Sequence, residues 1–196
     1  LLFFKQFLHA GIISQTGGFM PQPMNNQLSG LLELPVVSHI RRNHGLEHAT
    51  LHVLANYLPH TMIMGHSDAG GFWIIGDVPS ELLHAAVQEA LARLRAGEAE
   101  LAVHPNCGTN YVAAGVMAGL AGASAMLGSG RRWQDRLSRL PFAAAFATIA
   151  LIVSQPVGMA LQRNVTTSPD LSSLEVVSIT HRTRGRVTTH RIQTRG

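Results

Sequence analysis

Apolar residues recur at helical spacing through "PSELLHAAVQEALARLRAG". There Leu83, Ala86, Val87, Ala90, Leu91 and Leu94 fall on one face, Ser80 or Pro79 opens the helix and Gly97 closes it. Upstream, the spacing predicts another helix, capped at Ser38 and stopped by Pro59. Between the two, "TMIMGH" and "GFWIIGDV" flank "SDAG", the pattern of a β-hairpin. A short strand, "ELAV", is expected to lead into His104.

Past this region the alternation gives way to two stretches without Asp, Glu, Lys or Arg, residues 107–130 and 140–162. Each is long enough to cross a bilayer as a helix. The first is rich in Gly and Ala, and its Gly115 and Gly119 would let another helix approach closely. The second is more apolar despite Pro156. The two predict a transmembrane helical hairpin, with a pair of buried helices in a soluble bundle as the alternative. Between them "RRWQDRLSR" sets Arg131, Arg132, Arg136 and Arg139 against the lone Asp135, the composition of a cytoplasmic loop. Beyond residue 163, "SLEVVSITHRT" and "RVTTHRIQT" around Arg184-Gly185 predict a basic β-hairpin. Its abrupt shift to Thr, Val and Arg suggests a partner-binding tail separate from the rest.

The expected fold class is therefore α+β. Residues 1–37 form an irregular or membrane-associated segment, and residues 38–106 a small α/β metal-binding-like domain. Residues 107–162 form the transmembrane hairpin and residues 163–196 the basic β-rich tail.

Composition narrows the function classes. The chain has 196 residues, 46% of them hydrophobic, and its single cysteine, Cys107, excludes an intrachain disulfide framework. Fifteen Lys+Arg against 11 Asp+Glu give +4, which suits anionic lipid or a protein partner. No arginine-aromatic interleaving or C-x-x-C pair points to nucleic acid. Neither uncharged stretch holds a histidine to ligate a pigment, and there is no C-x-x-C-H for haem. The expected partners are the lipid bilayer and a membrane protein met through residues 107–162 and the tail. The expected location is a lipid membrane.

The chemistry gathers in "RRNHGLEHATLHVL", where His44, Glu47 and His48 stand in the order H-x-x-E-H. Residues 44 and 48 lie one above the other on a helix, so their imidazoles can converge on one metal ion. In metallohydrolases with this inverted order the histidines bind zinc and the glutamate takes a proton from the metal-bound water. His52 extends the stripe; the plain alternative is a solvated polar helix face. A second constellation, "HPNCGTN", sets His104 and Cys107 three apart at the mouth of the first uncharged stretch. Imidazole and thiolate are ligands that zinc prefers, and a helix dipole starting at Cys107 would favour the thiolate. The alternative is a turn-capping histidine and a small buried cysteine.

The pairing of H-x-x-E-H with HPxCGT resembles uncharacterised bacterial membrane-protein families, the YqhQ-like family among them. It is most similar to a family associated with phototrophic bacteria over residues 39–128, through "HGLEHATLHVL", "GGFWIIGDVP" and "EALARLRAGEAELAVHPNCGTN". The matching positions are His44, Glu47, His48, His104 and Cys107. The resemblance implies a metal-binding domain anchored as an integral membrane protein of the bacterial inner membrane, and supplies no substrate. Two functions follow. One is a membrane-anchored zinc-dependent, peptidase-like hydrolase with His44, His48 and one of His104 or Cys107 as ligands and Glu47 as base. The other is a non-catalytic accessory subunit of a membrane complex with a closed four-ligand site or no metal.

Overall fold

The computed structural model describes residues 26–130, 132–184 and 187–196. The expectation for residues 1–37 therefore lies largely outside the described residues. A short helix, α1 (Asn26–Leu32), leads into the long α2 (Pro35–Tyr57). Helix α2 begins earlier than an N-cap at Ser38 would allow. Pro35 holds the first turn, where its fixed φ suits the helix and its missing N–H costs nothing. The far end falls at Tyr57, ahead of Pro59 as expected.

Strands β1 (Met64–Asp68) and β2 (Gly71–Gly76) form the predicted hairpin. Helix α3 (Ser80–Arg95) buries the six residues expected on its apolar face. The "ELAV" strand is not formed. Ala99–Ala102 is a 3-10 turn, which brings the Ala102 and Val103 carbonyls against α2 instead of pairing with a strand.

The chain then enters α4 (Gly108–Met126) and α5 (Trp133–Leu161), which a π-helical turn, Gln162–Thr166, extends. These helices pack antiparallel, Asn110 meeting Gly158 at one end and Gly122 meeting Ala143 and Ala147 at the other. Small residues make the contact: Ala150, Ser154 and Gly158 recur once per turn and are buried, while Phe142, Phe146, Ile149 and Ile152 point outward and are exposed. The glycines expected at a close helix contact do not serve there, because Gly115 and Gly119 face open space. Among the described residues only Trp133–Thr166 is long and apolar enough to cross a membrane. Helix α4 has 19 residues and is diluted by glycines and by Asn110 and Tyr111. Arg136 and Arg139 belong to α5 and not to a loop.

The largest departure concerns the tail. Strands β3 (Glu175–Arg184) and β4 (Val187–Arg195) form as predicted, but β4 also pairs antiparallel with β2, giving one sheet of order β1-β2-β4-β3. Residues 163–196 are thus built into the α+β unit and do not stand apart from it. The reason lies in alternation: Phe72 and Ile74 of β2 and Ile192 of β4 share the inner face, where Leu46, Val53 and Leu54 of α2 and the apolar face of α3 cover them. Phe72, Ile74, Ile192, Leu46 and Leu54 are fully buried, each contributing about 1.5–3 kcal/mol. No such burial is open to a free two-stranded ribbon.

The segment after α5 also clasps α2. Ser168 donates its N–H to the Arg41 carbonyl at 2.9 Å, and the Arg41 guanidinium donates to the Thr167 carbonyl at 3.1 Å. Gly45 is required here, since a Cβ would collide with the Ser168 carbonyl. On the other side Asn43, fully buried, donates to the Asp68 carbonyl and accepts from the Thr194 hydroxyl. These bonds fix the rotation of α2 about its axis, and with it the direction of His44, Glu47 and His48.

Candidate metal centre

His44, Glu47 and His48 face the gap between α2, β1 and the start of α4. Cys107 caps α4, its sulfur accepting the Thr109 N–H, and so stands at the same place. One ligand atom each from His44, His48 and Cys107 lies within 4.8 Å of the others. Cys107 Sγ lies 3.3 Å from His44 Nε2.

Backbone carbonyls set the histidine tautomers. His44 Nδ1 donates to the Thr166 carbonyl at 3.0 Å and His48 Nδ1 to the Ala102 carbonyl at 2.8 Å. A carbonyl only accepts, so each Nδ1 carries the proton and each Nε2 presents a lone pair. Such outer bonds orient metal-ligating histidines and raise their basicity. Burial, with the neighbouring His44, drives the His48 pKa down to about 3, so its ring is neutral at ordinary pH, as a ligand must be. Burial pushes the Cys107 thiol up and outweighs its bonds to Thr109. The helix start does not by itself make a thiolate here. Two imidazoles and one sulfur nonetheless match zinc's preferred donors.

Glu47 sits beside the three donors without joining them. Burial raises its pKa, while the Ser67 hydroxyl bonded to Oε2 and the nearby His44 pull it down. Gly65 leaves the space its carboxylate occupies, because a Cβ there would overlap it.

His104 is not in the three-donor group. Its ring lies 5.7 Å from that of His48 and 4.8 Å from that of His52. Its Nδ1 accepts the Asn106 N–H, leaving the proton on Nε2, and burial beside His52 lowers its pKa to about 4. The His104 backbone is held by Gln162, which accepts its N–H at 2.8 Å and donates to its carbonyl at 3.1 Å. His52 turns Nε2 to the Val103 carbonyl and is likewise outside the group.

The donors line a cleft of about 750 Å³ whose walls include Ile40, Leu51, Met62, Ile63 and Tyr111. Sequence reasoning missed Ser67, Gly65, Thr166 and Gln162. The last two act from more than fifty positions away and leave no local signal.

The chain is similar to an uncharacterized protein of Picosynechococcus sp. (strain ATCC 27264 / PCC 7002 / PR-6), 35% identical over 172 residues that cover 79% of this chain and 80% of the relative. No solved structure matches it. The family model described as "Domain of unknown function (DUF6391)" matches residues 39–179, a span holding α2 from His39 onward, the hairpin, α3, both long helices and every donor at the site. The chain belongs to the DUF6391 family.

Proposed function

We propose that this chain is a membrane-anchored, zinc-dependent hydrolase with peptidase-like chemistry. The observation that carries the reading is the convergence of His44, His48 and Cys107 on a cleft that also holds the Glu47 carboxylate. Three protein ligands leave a position of tetrahedral zinc open, whereas a structural site uses four. Zinc held there would act as a Lewis acid and ease deprotonation of a water.

Glu47 is the base. Its burial-raised pKa brings it closer to the operating pH, and Ser67 and Gly65 fix its carboxylate. It takes the proton as the water oxygen bonds to the substrate carbonyl carbon. It passes that proton to the leaving nitrogen or oxygen as the old bond breaks. His104, with its proton on Nε2, donates to the carbonyl oxygen as negative charge develops.

Two observations support the anchor. Large apolar side chains of α4 and α5, among them Val112, Leu120, Phe142, Ile149 and Ile152, lie exposed, a surface that lipid would cover. The sheet adds a parity argument: β1 and β2 precede the helix pair, β3 and β4 follow it, and all four share one sheet. A chain cannot cross a bilayer an odd number of times between them, so if α5 spans, α4 spans with it as a hairpin. Arg132, Arg136 and Arg139 mark its turn as the cytoplasmic end, with the sheet and metal centre on the other side of the bacterial inner membrane. The YqhQ-like pairing of H-x-x-E-H with HPxCGT is consistent with this reading.

The test is elemental analysis of the detergent-purified chain and three variants. Wild type should carry one zinc per chain, His48→Ala should lose it, and Glu47→Gln and His104→Ala should keep it. Hydrolytic turnover in Glu47→Gln should fall by roughly two to four orders of magnitude. Zinc retained by His48→Ala removes the ligand assignment. Zinc lost from Glu47→Gln or His104→Ala replaces the open site with a closed, structural one and favours the accessory-subunit function.

A further inference from the structure

The cleft does not end at the three donors. At Thr109 it meets a second cavity of about 460 Å³, a groove between α4 and α5. The groove is lined by Val112, Val116 and Met117 from one helix and Val157 and Leu161 from the other. Its only polar side chains are Thr109 and Thr166, at the junction. There Thr109 Oγ1 lies 3.3 Å from Thr166 Oγ1 and 3.5 Å from Cys107 Sγ. Thr166 in turn offers its carbonyl to His44. The junction therefore touches two of the three donor residues, so the mouth of the groove lies beside them.

We propose that the substrate of this site is an amphiphile, with its scissile carbonyl at His44, His48 and Cys107 and a single hydrocarbon chain lying along the α4–α5 groove. This rests on the hydrolase reading given above. Three features select an acyl chain over a peptide. The groove offers no polar partner beyond its mouth, so an extended peptide would leave its backbone N–H and C=O groups unsatisfied there. Its walls are carried by the helices whose exposed apolar faces suit lipid, so a chain already in the bilayer reaches it sideways without passing through water. From Thr109 to Met117 the helix rises about 12 Å, room for a chain of medium length. The first cleft continues the same character, with Ile40, Leu51 and Met62 lining it together with the polar donors.

The probe pair is acetohydroxamic acid and decanohydroxamic acid, which share a metal-chelating head and differ only in the chain. Each is titrated into the full-length, cobalt-substituted protein in detergent, with the visible cobalt spectrum as readout. Decanohydroxamate should bind at least about 100-fold tighter, because each buried methylene is worth about fourfold in affinity and burying only three or four of its eight additional methylenes already gives that factor. Val116→Trp, which fills the groove, should keep the cobalt spectrum and reduce that preference at least tenfold. Leu120→Trp, on the exposed face outside the groove, should leave the preference intact. Equal affinity for the two probes, or a preference unchanged in Val116→Trp, overturns the amphiphile assignment while the metal centre stands. A spectrum that neither probe perturbs overturns the open metal site, and the amphiphile with it.

Discussion

Cys107 Sγ lies 3.3 Å from His44 Nε2, although 63 positions separate the two residues. The contact joins the cap of α4 to the middle of α2, and only a fold that brings those helices together creates it. Zinc should therefore shield the thiol. Alkylation of Cys107 by iodoacetamide at pH 7 is expected to be slow in the metal-free protein, where burial raises the thiol pKa, and slower still with zinc bound. Cys107→Ser should weaken zinc binding by more than about 100-fold, beyond the 10–100-fold loss typical of an outer-sphere partner, as measured by chelator competition. Alkylation that speeds up on zinc addition would remove the sulfur from the ligand set.

Gly65 and Glu47 give a second expectation. A methyl group on Gly65 would occupy the space of the Glu47 carboxylate. Gly65→Ala should keep zinc, because none of the three donors is touched, and should displace the base. Turnover of a chromogenic amide or ester is expected to drop at least tenfold, with about 1–3 kcal/mol of lost stability from overpacking. Full activity in this variant would mean that the carboxylate position does not matter to the reaction.

Deletion of residues 168–196 tests the sheet. Removing β4 strips β2 of its partner and uncovers Phe72 and Ile74. It also removes the Ser168 bond to Arg41 and the Thr194 bond to Asn43, which together set α2. The truncated chain should lose its cooperative thermal transition and its zinc. Retention of both would show that the tail is dispensable, as a separate partner-binding element would be.

Asp68 and Arg191 predict a pH dependence. Arg191 donates to both Asp68 oxygens, at 2.9 and 2.7 Å, while stacking 4.8 Å from the centre of the Trp73 ring. The paired guanidinium holds the Asp68 carboxyl below its ordinary value. The unfolded chain therefore takes up this proton first as the pH falls. The stabilisation is complete above the unfolded value near 3.9 and is lost as the pH drops through the lower folded value. Because the carboxylate is partly exposed, Asp68→Asn should cost only about 0.5–1 kcal/mol at neutral pH. In thermal melts the difference between wild type and variant should hold down to about pH 5 and close below pH 4. A difference that widens on acidification would contradict the pairing.

What the sequence made legible was local. The α3 face from Leu83 to Leu94 and the turn between β1 and β2 depend on neighbours a few positions apart, where periodicity and turn chemistry act. His44 and His48 were legible for the same reason, being one helical turn apart. Cys107 was legible as a ligand type beside His44 and His48, but that it and not His104 joins them was not. The Thr166 carbonyl on His44 and the Gln162 amide at His104 lie 122 and 58 positions away in the chain. "ELAV" has strand composition, yet it falls in a 3-10 turn against α2, where the Ala102 and Val103 carbonyls serve His48 and His52. The tail misled in the opposite way: its basic, Thr-rich outer face is what an isolated ribbon would show, and the inward Ile192 is the one clear sign that β4 is covered on its other side.

The order of strands in the sheet also has a consequence in time. Strand β2 is complete at Gly76, but its second partner starts at Val187, after both long helices. At ordinary synthesis rates the ribosome needs on the order of ten seconds to cover that interval. Through it, β2 presents an unpaired edge and the rotation of α2 is not yet fixed by Ser168 and Thr194. The surroundings of His44, His48 and Cys107 are therefore finished last, after both long helices have been made. Under the zinc reading proposed above, an ion supplied earlier would meet separate histidines and a separate thiol, and the nascent chain would acquire it only once its last strand has docked.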